Sequence, residues 1–102
     1  MTGKELHQLL VSKWGASFDV QLRRFKGKIY FQVMWKYLEQ ASFPLSESEY
    51  FEHLDTVSSY LVALDVVPQV QGYIETTRER PRLGKAVSIA LDIGNKESEW
   101  IL

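Results

Sequence analysis

Eight of the twelve lysines and arginines fall in two short stretches. Arg23, Arg24, Lys26 and Lys28 surround a Lys-Gly pair, and Arg78, Arg80, Arg82 and Lys85 crowd a later segment that contains Pro81 and Gly84. Arginine presents a planar fork of N–H donors that matches a carboxylate or a phosphate, so both stretches are candidate anion sites. The later one is the stronger candidate, because Pro81 and Gly84 set the shape of its loop while three arginines sit close together. Tyr30 falls opposite Arg23 if the chain folds back at Lys26-Gly27, which adds an aromatic face on which a base could stack. Each stretch also has a plain structural account. Cations near a hairpin turn discourage edge-to-edge pairing with other chains, and cations after a helix favour the negative end of its dipole.

The remaining polar residues offer little catalytic chemistry. His7 and His53 are the only histidines. His53 follows Glu52 and lies one turn after Glu49, a carboxylate–imidazole face that could hold a metal weakly. Structural zinc takes four protein ligands and catalytic zinc three, and the spacing is not the Glu-x-x-His of di-iron bundles. Glu49 and Glu52 would need a cleft to act as an acid–base pair, and a solvated helix face is the simpler account. Gly84-Lys85 is followed by Ala86 and lacks the earlier glycine of a phosphate-binding loop. The six glycines form no dinucleotide fingerprint, and there is no Gly-x-Ser-x-Gly elbow. With no cysteine, disulfides, thiolate metal sites, iron–sulfur clusters and thiol nucleophiles are all excluded. The expectation is a protein that is not an enzyme, with no cofactor and no metal.

The elements that must position these residues begin with a hairpin. Taking Lys26-Gly27 as a two-residue loop pairs Leu22 with Phe31, Val20 with Val33 and Phe18 with Trp35 on one face. Arg23 with Tyr30, Gln21 with Gln32 and Asp19 with Met34 fall on the other. A slip of one residue would turn the apolar set into water, so the register is well specified. The second arm could run to Tyr37 in the same parity, or Met34 to Gln40 could coil into a short helix. Before the hairpin, Thr2 and Glu5 form a capping-box pattern for a helix over about 3–14, with Gly15 placed to end it. Ser46 and Glu49 repeat that pattern, with Leu45 and Tyr50 as a hydrophobic staple, for a long helix over about 47–64. Pro68 suits the first position of a shorter helix over about 69–77, which carries Gly72 at a cost of roughly 1 kcal/mol against alanine. Lys85 to Ile93 alternates as a third strand, with Val87, Ile89, Leu91 and Ile93 on one face. The order α-β-β-α-α-β predicts an α+β fold, a small antiparallel sheet with helices packed on one face. On that arrangement Tyr30, Met34 and Trp100 lie near the surface, as a patch for a partner or for the tail.

At 102 residues and 45% hydrophobic content the chain has one core, in a single domain over 1–93. Residues 94–102 read as a polar tail, frayed unless Trp100-Ile101-Leu102 docks. A net charge of −1 gives no whole-protein field for nucleic acid or anionic lipid. Near neutrality hides asymmetry, since Glu47, Glu49, Glu52 and Asp55 gather early in the long helix, opposite in sign to the two basic stretches. No apolar run approaches the roughly 18 residues of a membrane span, and the first residues lack a signal-peptide core. A soluble protein is expected.

Two longer segments carry a resemblance. Gln32-Val-Met-Trp-Lys-Tyr-Leu-Glu-Gln-Ala-Ser-Phe-Pro-Leu-Ser46 and Thr77-Arg-Glu-Arg-Pro-Arg-Leu-Gly-Lys-Ala-Val-Ser-Ile89 are similar to a small uncharacterised family, a domain of unknown function found in cyanobacteria and in plant and algal plastids. The resemblance extends over Gly3 to about Ile93. It implies a context rather than a reaction: a cyanobacterial cytoplasm, or the plastid stroma for eukaryotic relatives, and a role supporting the photosynthetic apparatus. With no transit segment at its start, the chain fits a cyanobacterial member. The family brings no catalytic residues with it.

The expected function is therefore a non-catalytic protein-interaction or assembly-type module. Its partner-binding residues are Arg78, Arg80, Arg82 and Lys85, with Trp35 or the hairpin face of Tyr30 and Arg23 as the apolar anchor, since arginine and aromatics dominate interface centres. The alternative is a weak RNA- or phosphate-binding domain that uses both basic stretches, with affinity falling steeply in salt. A third possibility, an enzyme, would need a deep polar pocket around Glu49, Glu52 and His53.

Overall fold

The computed structural model describes residues 1–93; the tail over 94–102, with Trp100, lies outside the described residues. Helix α1 (Gly3–Trp14) opens on the expected capping box: the Thr2 hydroxyl accepts from Glu5 N–H, and the Glu5 carboxylate accepts from Thr2 N–H. Gly15, at a φ of 80°, ends it. Strands β1 (Phe18–Phe25) and β2 (Lys28–Tyr37) follow as an antiparallel hairpin closed by Lys26 and Gly27. Both turn residues have positive φ, 52° and 77°, the backbone of a tight turn whose twist matches that of the strands it joins. Helix α2 (Glu47–Ala63) starts with the second capping box, Ser46 with Glu49. Helix α3 (Val67–Thr76) and strand β3 (Val87–Ala90) complete the order α1-β1-β2-α2-α3-β3. The sheet is antiparallel throughout, in the order β1-β2-β3, so β2 is central. The fold is α+β, as the sequence order predicts.

The hairpin register matches the expected one from the turn as far as Val20–Val33. Beyond it the pairing shifts: Phe18 lies opposite Tyr37, not Trp35, and Asp19 is not paired with Met34. Two extra β2 residues are accommodated between these pairs, so Met34, Trp35 and Lys36 bulge opposite Asp19. The strand nevertheless reaches Tyr37, which removes the alternative of a helix from Met34. Helix α3 starts two residues before the expected boundary, and Pro68 is its second residue rather than its first. β3 is shorter than the 85–93 span that alternation suggests, because its ladder pairs only with Tyr30 to Val33; past it a single backbone bond, Leu91 N–H to the Ile29 carbonyl at 2.9 Å, continues toward β2. Leu91 and Ile93 still keep the parity and are buried beyond the strand end.

The alternating side chains separate the two faces of the sheet. Val20, Phe31, Val33, Val87 and Ile89 are buried with Leu6 and Leu10 of α1, Tyr50, Leu54 and Leu61 of α2, and Val70 and Ile74 of α3 in one core. Each aliphatic side chain buried in this way contributes about 1.5–3 kcal/mol. The opposite face carries Gln21, Arg23, Tyr30, Gln32 and Ser88, which are half-buried or exposed. All three helices thus contribute to the core on one face, and none of them covers the other.

Candidate functional site

The two basic stretches lie at opposite ends of the sheet. Tyr30 pairs with Ala90, and Val33 with Val87, so the Lys26-Gly27 turn is at one end and the chain before Val87 at the other. From the level of Tyr30 to the level of Lys85 is five residues, or ~17 Å along the strand. The expected site residues therefore divide. Arg23 and Tyr30 are cross-strand partners on the open face at the hairpin end. Arg78, Arg80, Arg82 and Lys85 are exposed at the far end, where the β2–β3 register, continued two residues, sets Trp35 level with Lys85. Trp35 is half-buried in the bulge.

The far loop is built from both directions. The Trp14 indole N–H donates to the Glu79 carbonyl at 3.0 Å, Glu79 N–H donates to the Thr77 hydroxyl at 3.2 Å, and Pro81 is buried. Arg82 and Lys85 then exchange two backbone hydrogen bonds, 3.0 and 2.7 Å, around Leu83 and Gly84. Gly84, at a φ of 77°, closes this turn in a left-handed conformation. Leu83 stands at its tip, 89% exposed. Among the described residues none of Arg78, Arg80, Arg82 or Lys85 makes an ion pair or a side-chain hydrogen bond. A hydrogen-bonded turn thus displays one aliphatic side chain in a loop with four cations that make no ion pair among the described residues. Leu83 was not among the expected site residues; its only signal in the sequence is an isolated hydrophobe inside a cationic loop.

At the hairpin end Phe25, 49% exposed, is the residue that sequence reasoning passes over. Arg23 and Lys26 lie 5.7 and 5.3 Å from its ring centre, in cation–π range. Beside it the Gln21 side-chain amide donates to Gln32 (2.6 Å), whose own amide donates to the Ser88 hydroxyl (2.9 Å), a ladder across all three strands.

The acidic face proposed for a metal does not assemble around His53. Glu49 is spent on the helix cap, where the Ser46 backbone N–H and then its hydroxyl hold the carboxyl below its ordinary pKa. His53 turns to the β1 edge instead, donating from Nε2 to the Val20 carbonyl at 2.6 Å, with Asp19 Oδ1 at 3.6 Å. Val20 N–H donates to that same carboxylate oxygen, so both outward backbone groups of this edge residue are satisfied. Burial raises the Asp19 pKa against the opposing pull of His53, the Val20 N–H and Lys36. Among the described residues no three His, Asp or Glu side chains cluster as a metal site would require.

His7 and Ser17, 2.7 Å apart, resemble a hydrolytic pair only in distance. The Tyr50 hydroxyl donates to the Phe18 carbonyl at 2.7 Å, so it must accept from Ser17, also at 2.7 Å. The proton of Ser17 is thereby committed, and His7 Nδ1 donates to the serine rather than taking its proton. Ser17 is buried, and burial pushes Tyr50 up to about 12. This chain of hydroxyls ties α1 and α2 to the root of β1; it is scaffold, not catalysis.

A three-stranded antiparallel sheet layered by helices on one face defines a small α+β domain. The pattern of the family described as domain of unknown function (DUF3067) matches residues 4–101. The chain belongs to that family. It is similar to the Alr2454 protein from Nostoc sp. strain PCC 7120, a cyanobacterium, whose solution NMR structure has been solved. The two share 66% identity over 100% of this chain and 98% of that one, with a TM-score of 0.90. No curated protein matches the chain. No helix among the described residues is long and apolar enough to cross a membrane.

Proposed function

We propose that this chain is a non-catalytic interaction or assembly-type module that binds a protein partner through the 78–85 loop. The observation that carries this reading is Leu83, displayed on a hydrogen-bonded turn among Arg78, Arg80, Arg82 and Lys85. A preformed turn loses little conformational entropy on binding, and a leucine flanked by Arg82 and Lys85 in a cationic loop fits an apolar pocket bordered by carboxylates. In this reading Leu83 takes the anchoring role expected of Trp35 or of the hairpin face; Trp35 is half-buried in the β2 bulge. The chain in this reading works in a cyanobacterial cytoplasm, with the plastid stroma for eukaryotic relatives, in support of the photosynthetic apparatus; the similarity to a Nostoc protein supports the cyanobacterial context alone.

The test is a pull-down from soluble and detergent-solubilised cyanobacterial fractions, at low and high salt, with and without nuclease. Wild type would be compared with Leu83→Asp and with Arg78→Glu, Arg80→Glu, Arg82→Glu together. A subunit of a photosynthetic complex retained by wild type at high salt, insensitive to nuclease and lost from both variants, is expected. Recovery of the same proteins by wild type and both variants would overturn the assignment of the loop.

A further inference from the structure

The hairpin end offers a surface independent of that loop. Its open face carries a hollow of about 290 Å³ lined by Arg23, Phe25, Tyr30, Gln32 and Ser88. Two flat rings lie there beside groups that both donate and accept: the Gln32 amide, the Ser88 hydroxyl and the Tyr30 hydroxyl. The ladder from Gln21 fixes the Gln32 amide in one orientation. Arg23 and Lys28 project on the same face by strand parity, and Lys26 lies over the edge of the hollow against Phe25. Among the described residues no carboxylate lines it.

From this arrangement we infer that the open face at the hairpin end binds single-stranded RNA. Unpaired bases stack on Phe25 and Tyr30, as every base can on an aromatic platform. Arg23, Lys26 and Lys28 meet the phosphates that follow the strand. Gln32, Ser88 and the Tyr30 hydroxyl face the sugar and base edges, where a ribose 2′-hydroxyl, itself donor and acceptor, gives RNA an advantage over DNA. The local charge fits as well: Arg23 lines the hollow, Lys26 lies against Phe25, and Lys28 shares the face by parity. This surface uses only one of the two basic stretches, because the other lies at the far end of the sheet.

Fluorescence anisotropy of a short labelled oligouridine titrated with the full chain tests the inference. Binding at low salt is expected, weakened about tenfold or more by Phe25→Ala or Tyr30→Ala. The logarithm of the affinity should fall with the logarithm of salt with a slope of about −2, the value for three phosphates on a single strand. Arg82→Gln, at the far end, should leave it unchanged. Oligodeoxythymidine and duplex RNA should bind more weakly. Absence of binding, indifference to both aromatic variants, equal binding of duplex or DNA, or loss in Arg82→Gln would each overturn it. Should an aromatic variant unfold the hairpin, chemical-shift mapping of the wild type decides. Shifts at Phe25, Tyr30, Gln32 and Ser88 support the site, and shifts confined to 78–85 refute it.

Discussion

The two ends of the sheet carry similar numbers of cations and are built in opposite ways. The 78–85 end is rooted. Trp14 holds the Glu79 carbonyl across 65 residues of sequence, Pro81 is buried, and nearby the root of β1 is tied to α2 through Tyr50. What it displays is aliphatic, a single leucine. The hairpin end is held by its own strand pairs and turn, and what it displays is aromatic and amide-rich. A rooted aliphatic knob suits a pocket in a folded partner; a flat aromatic face suits a flexible strand of bases. Equal charge therefore does not mean equal ligand.

The most severe way to break the comparison is Trp14→Ala. Removing this buried indole should cost about 3–5 kcal/mol and release the Glu79 carbonyl. Thermal unfolding would register the loss. Amide exchange should rise most across 77–85 while the pairs from Leu22 to Phe31 keep their protection. Uniform loss of protection at both ends would show that the ends are not separately supported.

Tyr50→Phe sharpens the same point with less force. It leaves the Phe18 carbonyl without its donor and Ser17 without its acceptor, for about 1–3 kcal/mol at neutral pH. The tyrosine also sets a pH dependence. Its pKa is pushed up to about 12 from 10.0, so the folded state holds the proton more tightly than the unfolded chain. The stability this provides is complete below pH 10 and is lost as the pH rises through about 12. Denaturant midpoints measured across that window should fall for wild type and stay flatter for Tyr50→Phe.

The two turn glycines compare the ends directly. Gly27 and Gly84 share a φ of 77°, and alanine at either costs roughly 1–2 kcal/mol of backbone strain. Gly27→Ala acts on a turn within the main sheet, so it should lower the melting temperature and weaken oligouridine binding. Gly84→Ala acts on a surface turn whose neighbours can relax. It should lower stability less and impair partner retention without touching oligouridine.

How much of this was legible depended on how local the signal was. Both capping boxes were readable because Thr2 with Glu5 and Ser46 with Glu49 are neighbours in sequence. Strict alternation outward from Lys26-Gly27 gave the register as far as Val20–Val33. It failed at the bulge, because Trp35 and Tyr37 have the same parity and either could lie opposite Phe18. The ends of β3 escaped for a different reason: Leu91 and Ile93 alternate and are buried, yet pairing along β2 stops at Ala90. The cationic residues of both stretches could be listed from the sequence, but their separation is a property of sheet order. Leu83 and Phe25 stand out only once exposure is known, since a leucine or phenylalanine is more often core. Helical spacing groups His53 with Glu49, while tertiary packing turns it to Val20 and Asp19.

The smallest expected effect concerns that edge of β1, midway between the two ends. Asp19 has its pKa raised by burial, so its ionised form is disfavoured in the folded protein relative to the unfolded chain. The folded state gains from the protonated carboxyl below the ordinary value of 3.8, and that gain disappears as the pH rises through the folded pKa. Asp19→Asn keeps an oxygen to accept from Val20 N–H and removes the charge. It forfeits the attraction to His53, a partly exposed pair at 3.6 Å that contributes little. The two changes oppose each other, so the net effect at neutral pH should stay within about 0.5 kcal/mol, with a slight gain expected. Urea midpoints of the variant relative to wild type should improve from acid to neutral pH. A loss that grows toward neutral pH would instead make the Asp19–His53 attraction the stronger influence on the edge.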